Sequence, residues 1–290
     1  HLHSLQFGAH VAARALAKRL IDVSAFDYGV LGMSIPQQGS FYGLPWLTGL
    51  VGADSVGGPT IAQACATGAR VLSAAVQEIQ SGAATCVLTV TTDRTSNGPH
   101  IYYPDPMAMG GTGRHENWVL DNFSRDPYGN TDMTRTAENC ATKWKVDTAL
   151  QHDVVLRRYE QYRGALTNDA AFHRRYMDLP FEVPDARFKR TITTLESDEG
   201  IHPVNAEGLT KLKPVLPDGS VTFGGQTHPA DGACGMVVAS ADKVADLSKD
   251  PCISITVEGF GMARAEKSFM PAATIPAAQR ALTAANVLIK

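Results

Sequence analysis

The chain has 290 residues, of which 44% are apolar and 19% charged, and its formal net charge is −3. This composition is typical of a globular protein with a large core, and the small negative charge gives no basis for predicting a nucleic-acid or acidic-membrane partner. Because the sequence shows neither an apolar run long enough to cross a bilayer nor a signal-peptide pattern, we expect a cytoplasmic protein without membrane contact. The cysteines include no Cys-x-x-Cys pair, so the sequence predicts no metal site and is typical of a reducing compartment.

Helices and strands alternate along the first third of the chain. The hydrophobic periodicity predicts, in order, a helix over 8–21, a strand over 28–33, a helix over 44–51, a buried strand that runs into Cys65, and a helix over 70–80. Residues 85–91 are apolar or β-branched throughout, which is typical of a strand buried on both faces of a sheet. This alternation predicts an α/β layer architecture.

The composition changes after Thr92. Residues 93–217 are polar and rich in Gly and Pro near their start, with predicted helices over 134–145 and 147–162 and a strand-like alternation over 188–194. We interpret this region as an insertion that forms a substrate-facing lid.

The sheet pattern returns near Val221. It predicts a strand over 236–239 and a helix over 241–247, followed by a strand over 253–259 and a helix over 275–285. The last two elements begin another unit but are too small to bury a core of their own, so we expect either that they pack on the earlier sheet or that more chain normally follows. The predicted domains are residues 1–92 together with 218–248, the insertion 93–217, and residues 249–290.

Cys65 is the main candidate for chemistry because it lies where a predicted strand meets a helix. Backbone N–H groups and the positive end of the helix dipole favour a thiolate there, and the thiolate is the nucleophilic form of cysteine. Gly68 leaves room for a ligand to approach. The alternative is a small buried apolar residue, which is how we interpret Cys86, Cys140 and Cys252.

Six segments resemble parts of the thiolase family, and they include residues 82–85, which resemble the run before its dimer-interface strand, and the predicted helix over 147–162. Residues 62–68 (Ala-Gln-Ala-Cys-Ala-Thr-Gly) resemble its nucleophile-cysteine loop, and residues 133–139 (Met-Thr-Arg-Thr-Ala-Glu-Asn) are similar to the start of a lid helix. Residues 224–233 resemble the family's Gly-Asn-Ala-Ser-x-x-Asn-Asp-Gly-Ala motif, and residues 276–282 resemble the helix that starts its second half. The resemblance implies a layered α/β/α/β/α fold of two similar halves with a large lid insertion. Against that pattern, the first N-terminal strand and most of the second half are missing.

The resemblance also implies an activity. The protein would be an acyltransferase that carries an acyl group on Cys65 and transfers it to or from coenzyme A (CoA), by thiolytic cleavage of a 3-ketoacyl-CoA or by Claisen condensation. Met133 would line the pantetheine path, and Thr227 and His228 would contact CoA. A general-base role for His228 is the alternative, since His228-Pro229 also resembles the family's Gly-His-Pro motif. CoA and acyl-CoA are then substrates and products, no separate cofactor is implied, and a homodimer or tetramer is expected, with a second type of subunit as a further option.

When the segments are taken in the family's order, three later motifs would lie beyond Lys290: Asn-Glu-Ala-Phe, Gly-His-Pro and Cys-x-Gly. In the family they supply an oxyanion hole, an activating histidine and a second cysteine. Two other interpretations therefore stay open, a non-catalytic or half-site subunit that supports a partner, and a related condensing enzyme such as a ketoacyl synthase. For the dimer we expect contact through residues 85–91, because pairing would remove an exposed strand edge.

Overall fold

The structure, a computed structural model, describes residues 1–227, 230–250 and 252–288. The chain divides into two compact units, the first made of His1–Val119 and Ala230–Glu258, the second of Leu120–Pro229 and Gly259–Lys290. The limits of these units do not coincide with the predicted domain limits at 92, 217 and 248, and the division into two halves and a lid stays a prediction.

Helices and strands alternate in the first unit, and helices dominate the second. The helices are α1 (Ser4–Lys18), α2 (Leu44–Val51), α3 (Thr67–Gln80), α4 (Leu120–Ser124), α5 (Met133–Trp144), α6 (Thr148–Ala165), α7 (Thr167–Ala170), α8 (Ala206–Thr210), α9 (Ala241–Leu247) and α10 (Thr274–Ala284). The strands are β1 (Tyr28–Gly32), β2 (Thr60–Ile61), β3 (Cys86–Asp93), β4 (His100–Tyr103), β5 (Arg114–Asn117), β6 (Phe181–Pro184), β7 (Thr191–Leu195) and β8 (Gly232–Ala239). The predicted α/β class is confirmed, and every predicted helix is observed with ends within about four residues.

A mixed four-stranded sheet forms the centre of the first unit. Its order is β2-β1-β3-β8, with β1 parallel to β2 and β3, and β8 antiparallel to β3. At one end of β1, Gly32 lies opposite both Ile61 and Thr91. Because β3 pairs with a strand on each side, the prediction that residues 85–91 offer an exposed edge for a dimer is wrong.

Helices cover both faces of this sheet. Successive side chains of a strand point to opposite faces, so Leu31 packs with α1 and α2 while Val30 packs with α3. The buried residues of α1 recur every three or four positions, which turns one face of the helix to the sheet; they include Leu5, Ala9, Ala12 and Leu16. Cys86 lies in the core beside α1 and α2, as predicted.

The prediction that Cys252 is a core residue and the predicted strand over 253–259 are both wrong. Cys140 is only half-buried and Cys252 is exposed, so Cys252 is not a core residue. Residues 253–258 pair with no strand of the described chain, and the apolar side chain of Ile255 is 91% exposed. An alternating pattern forms a strand only when a neighbouring strand completes its hydrogen bonds, and here none of the described strands does so.

The second unit is organised around α5 and α6. Each begins at an aspartate whose carboxylate accepts a backbone N–H of the first turn, Asp132 from Arg135 at 2.6 Å and Asp147 from Leu150 at 2.8 Å. A two-stranded antiparallel ribbon of β6 and β7 follows. No helix in the described ranges combines the length and apolar character needed to span a bilayer.

Candidate active site

Cys65 lies in a tight turn between β2 and α3. The strand before it contains only Thr60 and Ile61, and neither is buried, so the predicted buried strand running into Cys65 is wrong. At the edge of the sheet, β2 pairs with β1 alone, and the chain leaves the sheet early. A single 3₁₀ turn, Ala64–Ala66, then leads directly into α3. Cys65 is exposed in this turn, which rules out the alternative that it is a buried apolar residue.

Hydrogen bonds within the turn fix its conformation. The Thr67 hydroxyl donates to the Ala64 carbonyl oxygen at 2.7 Å and accepts the Gln63 backbone N–H at 2.8 Å. The backbone N–H of Ala66 donates to the Gln63 carbonyl oxygen at 3.0 Å. Ala64 has φ of 45°, a left-handed conformation that costs a residue with a Cβ about 1–2 kcal/mol. The turn is therefore a strained conformation held by local hydrogen bonds, as is common at functional sites.

The start of α3 rests directly on the sheet because β1 ends in a glycine. A Cβ atom at Gly32 would lie 2.8 Å from methyl carbons of Thr67, Val71 and Thr91, closer than real side chains allow. Gly32 and Thr91 end the parallel pair β1 and β3, so Cys65 is placed at the carboxyl end of parallel strands. Ligands of open α/β sheets bind at this end.

The electrostatic setting of Cys65 follows from its position. It lies two residues before the first residue of α3, a helix of 14 residues with no acidic residue in its first turn. Unpaired N–H groups and the helix dipole make such an end partly positive. A thiolate, or the oxyanion of a tetrahedral intermediate, is the kind of charge that this end stabilises.

Two carboxylates fix the loops at the same end of the sheet. Asp93, the last residue of β3, accepts the backbone N–H groups of Ser34 and Ile35, which follow β1, at 3.0 and 2.9 Å. Asp231 accepts the Ser96 N–H at 2.9 Å and the Ser96 hydroxyl at 2.6 Å. The loops after β1 and β3 are therefore held in place. Sequence reasoning missed the Asp93 contact; the signal for it is an acidic residue at the carboxyl end of a buried strand.

The other predicted site residues belong to the second unit. Met133 is half-buried and is the first residue of α5. Thr227 is exposed, shortly after a 3₁₀ turn at Phe223–Gly225. His228 lies outside the described residues.

A buried carboxylate holds the segment that leads to Thr227. The Glu138 side chain is 5% exposed and accepts the backbone N–H groups of Ser220 and Val221 at 2.7 and 2.6 Å. It also accepts the Ser220 hydroxyl at 3.0 Å. The His152 ring Nε2 lies 2.8 Å from the Thr222 Oγ1, a second hydrogen bond to the same segment. Residues 220–222 are thus tied to both α5 and α6.

Comparison with known proteins places these features in a family. Residues 1–242 match the thiolase N-terminal domain. Acetyl-CoA acetyltransferase 2 of Arabidopsis thaliana is 30% identical over 227 residues, which are 76% of this chain and 54% of that protein. The chain thus spans about half the length of the curated relatives it matches.

Solved structures show the same fold. The crystal structure of human mitochondrial 3-ketoacyl-CoA thiolase superposes with a TM-score of 0.86 at 26% sequence identity. The superposed part is 99% of this chain and 72% of that one. The crystal structure of the same human enzyme in complex with CoA superposes with a TM-score of 0.81, also at 26% identity, over 97% of this chain and 69% of that one. This chain therefore has a thiolase fold and belongs to the thiolase family.

Proposed function

We propose that the chain carries the nucleophile of a thiolase-type acyltransferase, with the acyl group held on Cys65 and transferred to or from CoA. The observation that carries the proposal is the exposed Cys65 sulfur in a fixed turn at the start of α3, at the carboxyl end of parallel strands. The relatives named acetyl-CoA acetyltransferase and beta-ketoadipyl-CoA thiolase support this class of reaction, as does the human enzyme crystallised with CoA.

The proposed step is attack of the Cys65 thiolate on the carbonyl carbon of an acyl-CoA thioester. A bond from Cys65 Sγ to the acyl carbon forms, the bond from that carbon to the CoA sulfur breaks, and CoA leaves as its thiolate. Backbone N–H groups at the start of α3 supply one stabilising interaction for the oxyanion, and losing such a donor typically lowers a rate by ~10²–10³. In condensation, the C2 carbanion of a second acyl-CoA then attacks the acyl carbon, the new C–C bond forms, and Cys65 leaves as its thiolate. In thiolysis, the Cys65 thiolate instead attacks the 3-keto carbon of a 3-ketoacyl-CoA, the C2–C3 bond breaks, and the C2 carbanion of the departing acetyl-CoA takes up a proton. A free CoA thiol supplies the proton in the overall balance, and its thiolate takes the acyl group from Cys65.

The remaining assignments belong to the same proposal. Met133 lines the pantetheine path, and Thr227 and His228 contact CoA, with a general-base role as the alternative for His228. CoA and acyl-CoA are the small-molecule partners. A homodimer or tetramer in the cytoplasm is the assembly that we propose, with a partner subunit as an alternative source of missing groups.

One observation favours a second candidate function, a non-catalytic or half-site subunit. Among the described residues, Cys65 has no hydrogen-bond partner that could take its proton. A nucleophilic cysteine is normally activated by an adjacent base. If another chain supplies that base, this chain alone would be inactive.

Intact-mass measurement separates the two candidates. We would incubate the wild-type protein, Cys65→Ser and Cys234→Ser with acetyl-CoA; Cys234 is the matched control because it is also an exposed cysteine of the first unit. The proposed enzyme gains the mass of one acetyl group in the wild type and in Cys234→Ser but not in Cys65→Ser. Folded wild-type protein that gains no acetyl group would refute the enzyme and support the half-site subunit.

A further inference from the structure

The Thr67 hydroxyl makes both of its hydrogen bonds backwards, into the turn that presents Cys65. It donates to the Ala64 carbonyl oxygen and accepts the Gln63 N–H, at 2.7 and 2.8 Å. Threonine near a helix start usually caps the helix by accepting an N–H from its first turn. Here the N-cap residue is Ala66, which makes no side-chain capping bond, and the Thr67 hydroxyl serves the residues before Cys65.

The two hydrogen bonds of the Thr67 hydroxyl form a bridge between Gln63 and Ala64, and this bridge opposes a conformational preference of the chain. Ala64 has φ of 45°, and an alanine left to itself prefers negative φ. If the bridge were removed, relaxation of Ala64 would rotate the peptide that precedes Cys65 and displace its sulfur. The bridge is itself well fixed, because Thr67 is 6% exposed and its methyl group rests on Gly32.

We propose that Thr67 is a positioning residue for the Cys65 nucleophile. Its hydroxyl holds Ala64 in the left-handed conformation and thereby keeps the Cys65 sulfur at the start of α3. The inference rests on the proposed function for the importance of that sulfur, but the hydroxyl's effect on sulfur reactivity can be measured separately.

Three substitutions isolate the hydroxyl. Thr67→Val keeps the shape and the methyl contact with Gly32 but removes the hydroxyl, whereas Thr67→Ser keeps the hydroxyl and removes the methyl. Thr67→Ala removes the hydroxyl without adding bulk and gives the same expectation if the valine variant does not fold. Thr89→Val is the matched control, since the buried Thr89 hydroxyl donates to the Met236 carbonyl oxygen at 2.8 Å elsewhere in the sheet.

The measurement is the rate of Cys65 alkylation by iodoacetamide at fixed pH, resolved by peptide mass spectrometry, beside the rate of acetylation by acetyl-CoA. Loss of the bridge should slow alkylation about tenfold in Thr67→Val and Thr67→Ala, the change that ~1.4 kcal/mol produces. Thr67→Ser and Thr89→Val should stay within about threefold of the wild type, because a serine hydroxyl restores the bridge and Thr89 lies outside the turn.

Wild-type alkylation rates in Thr67→Val and Thr67→Ala would overturn the proposal, as would a Thr67→Ser rate as low as theirs. The two proposals fail in different ways. If the wild type is never acetylated while the alkylation rates follow the expected order, the proposed function fails and the positioning role stands. If the wild type is acetylated through Cys65 while all variants react alike, the positioning role fails and the proposed function stands.

Discussion

Replacing Glu138 by glutamine tests whether its buried carboxylate holds residues 220–222. One carboxylate oxygen accepts the backbone N–H groups of Ser220 and Val221, and the other accepts the Ser220 N–H at 2.9 Å and the Ser220 hydroxyl at 3.0 Å. Glutamine keeps one oxygen for the two N–H groups. Its amide nitrogen cannot accept the Ser220 N–H, and the negative charge is lost.

The expected loss can be worked from these contacts. The Ser220 hydroxyl can reverse its role and accept from the new amide, so that bond is largely kept. What disappears is one bond to an acceptor oxygen and the charge assistance of the others, and a hydrogen bond to a charged group contributes ~1.5–3 kcal/mol. We expect Glu138→Gln to lower the local free energy of opening by about 2 kcal/mol, which is a factor of ~30 in the opening equilibrium.

Hydrogen exchange measures this change directly. The Ser220 and Val221 amides should exchange about thirtyfold faster in Glu138→Gln than in the wild type. Glu207→Gln is the matched control, because Glu207 is 81% exposed and pairs with Lys211 on the surface, where the effect on stability should stay below ~0.5 kcal/mol. Unchanged exchange at both amides in Glu138→Gln would refute the conclusion that the Glu138 carboxylate holds residues 220–222, an interaction that we call the Glu138 clamp.

Three further predictions concern the first unit. Ala64→Gly should raise the free energy of unfolding in urea by roughly 0.5–1 kcal/mol, because the ~1–2 kcal/mol of left-handed strain exceeds the entropy cost of glycine; a loss of stability would contradict the strain. Gly32→Ala should lower the same quantity by ~1–3 kcal/mol, since its Cβ would clash with three methyl groups, and a neutral result would show that α3 does not rest on this position. Burial acts to raise the pKa of Asp27, but hydrogen bonds from the Thr85 hydroxyl and nearby backbone N–H groups lower it overall. The stability contributed by Asp27 is therefore present above about pH 4 and lost as the pH falls through the lowered pKa, so Asp27→Asn should flatten that acid loss in urea titrations at several pH values. An equally steep loss in Asp27→Asn would refute the assignment.

Local signals in the sequence were sufficient for the seven longer helices of the described chain and for the position of Cys65, but not for the short helices α4, α7 and α8, which have four or five residues each. The helix predicted over 147–162 is observed as α6 with Asp147 as its N-cap, a feature that depends only on residues a few positions away. The same holds for Cys65, which the sequence places at the start of a helix and the structure places two residues before α3. Its catalytic role stays a prediction.

Features that depend on distant residues were not predictable. Whether residues 85–91 form an edge depends on β8, whose pairing with β3 joins residues such as Thr89 and Met236, 147 positions apart. The Glu138 clamp joins residues 82 positions apart, and no periodicity reports such a contact. The prediction of a buried strand running into Cys65 was wrong for the same reason. The length of β2 is set by where its partner β1 ends and not by the apolar residues of β2 itself.

The pairing of β3 with β8 has a consequence for biosynthesis. A ribosome that has just finished β3 must still add residues 94–231 before it begins β8, which takes roughly 7–28 s at the usual elongation rates. During that interval the nascent chain displays β3, with one row of backbone donors and acceptors unsatisfied, to whatever else is in solution. We therefore expect chaperones to capture the unfinished chain less often when the intervening segment folds quickly and lets β8 pair with β3. The yield of soluble protein at lowered temperature should depend on the same rate.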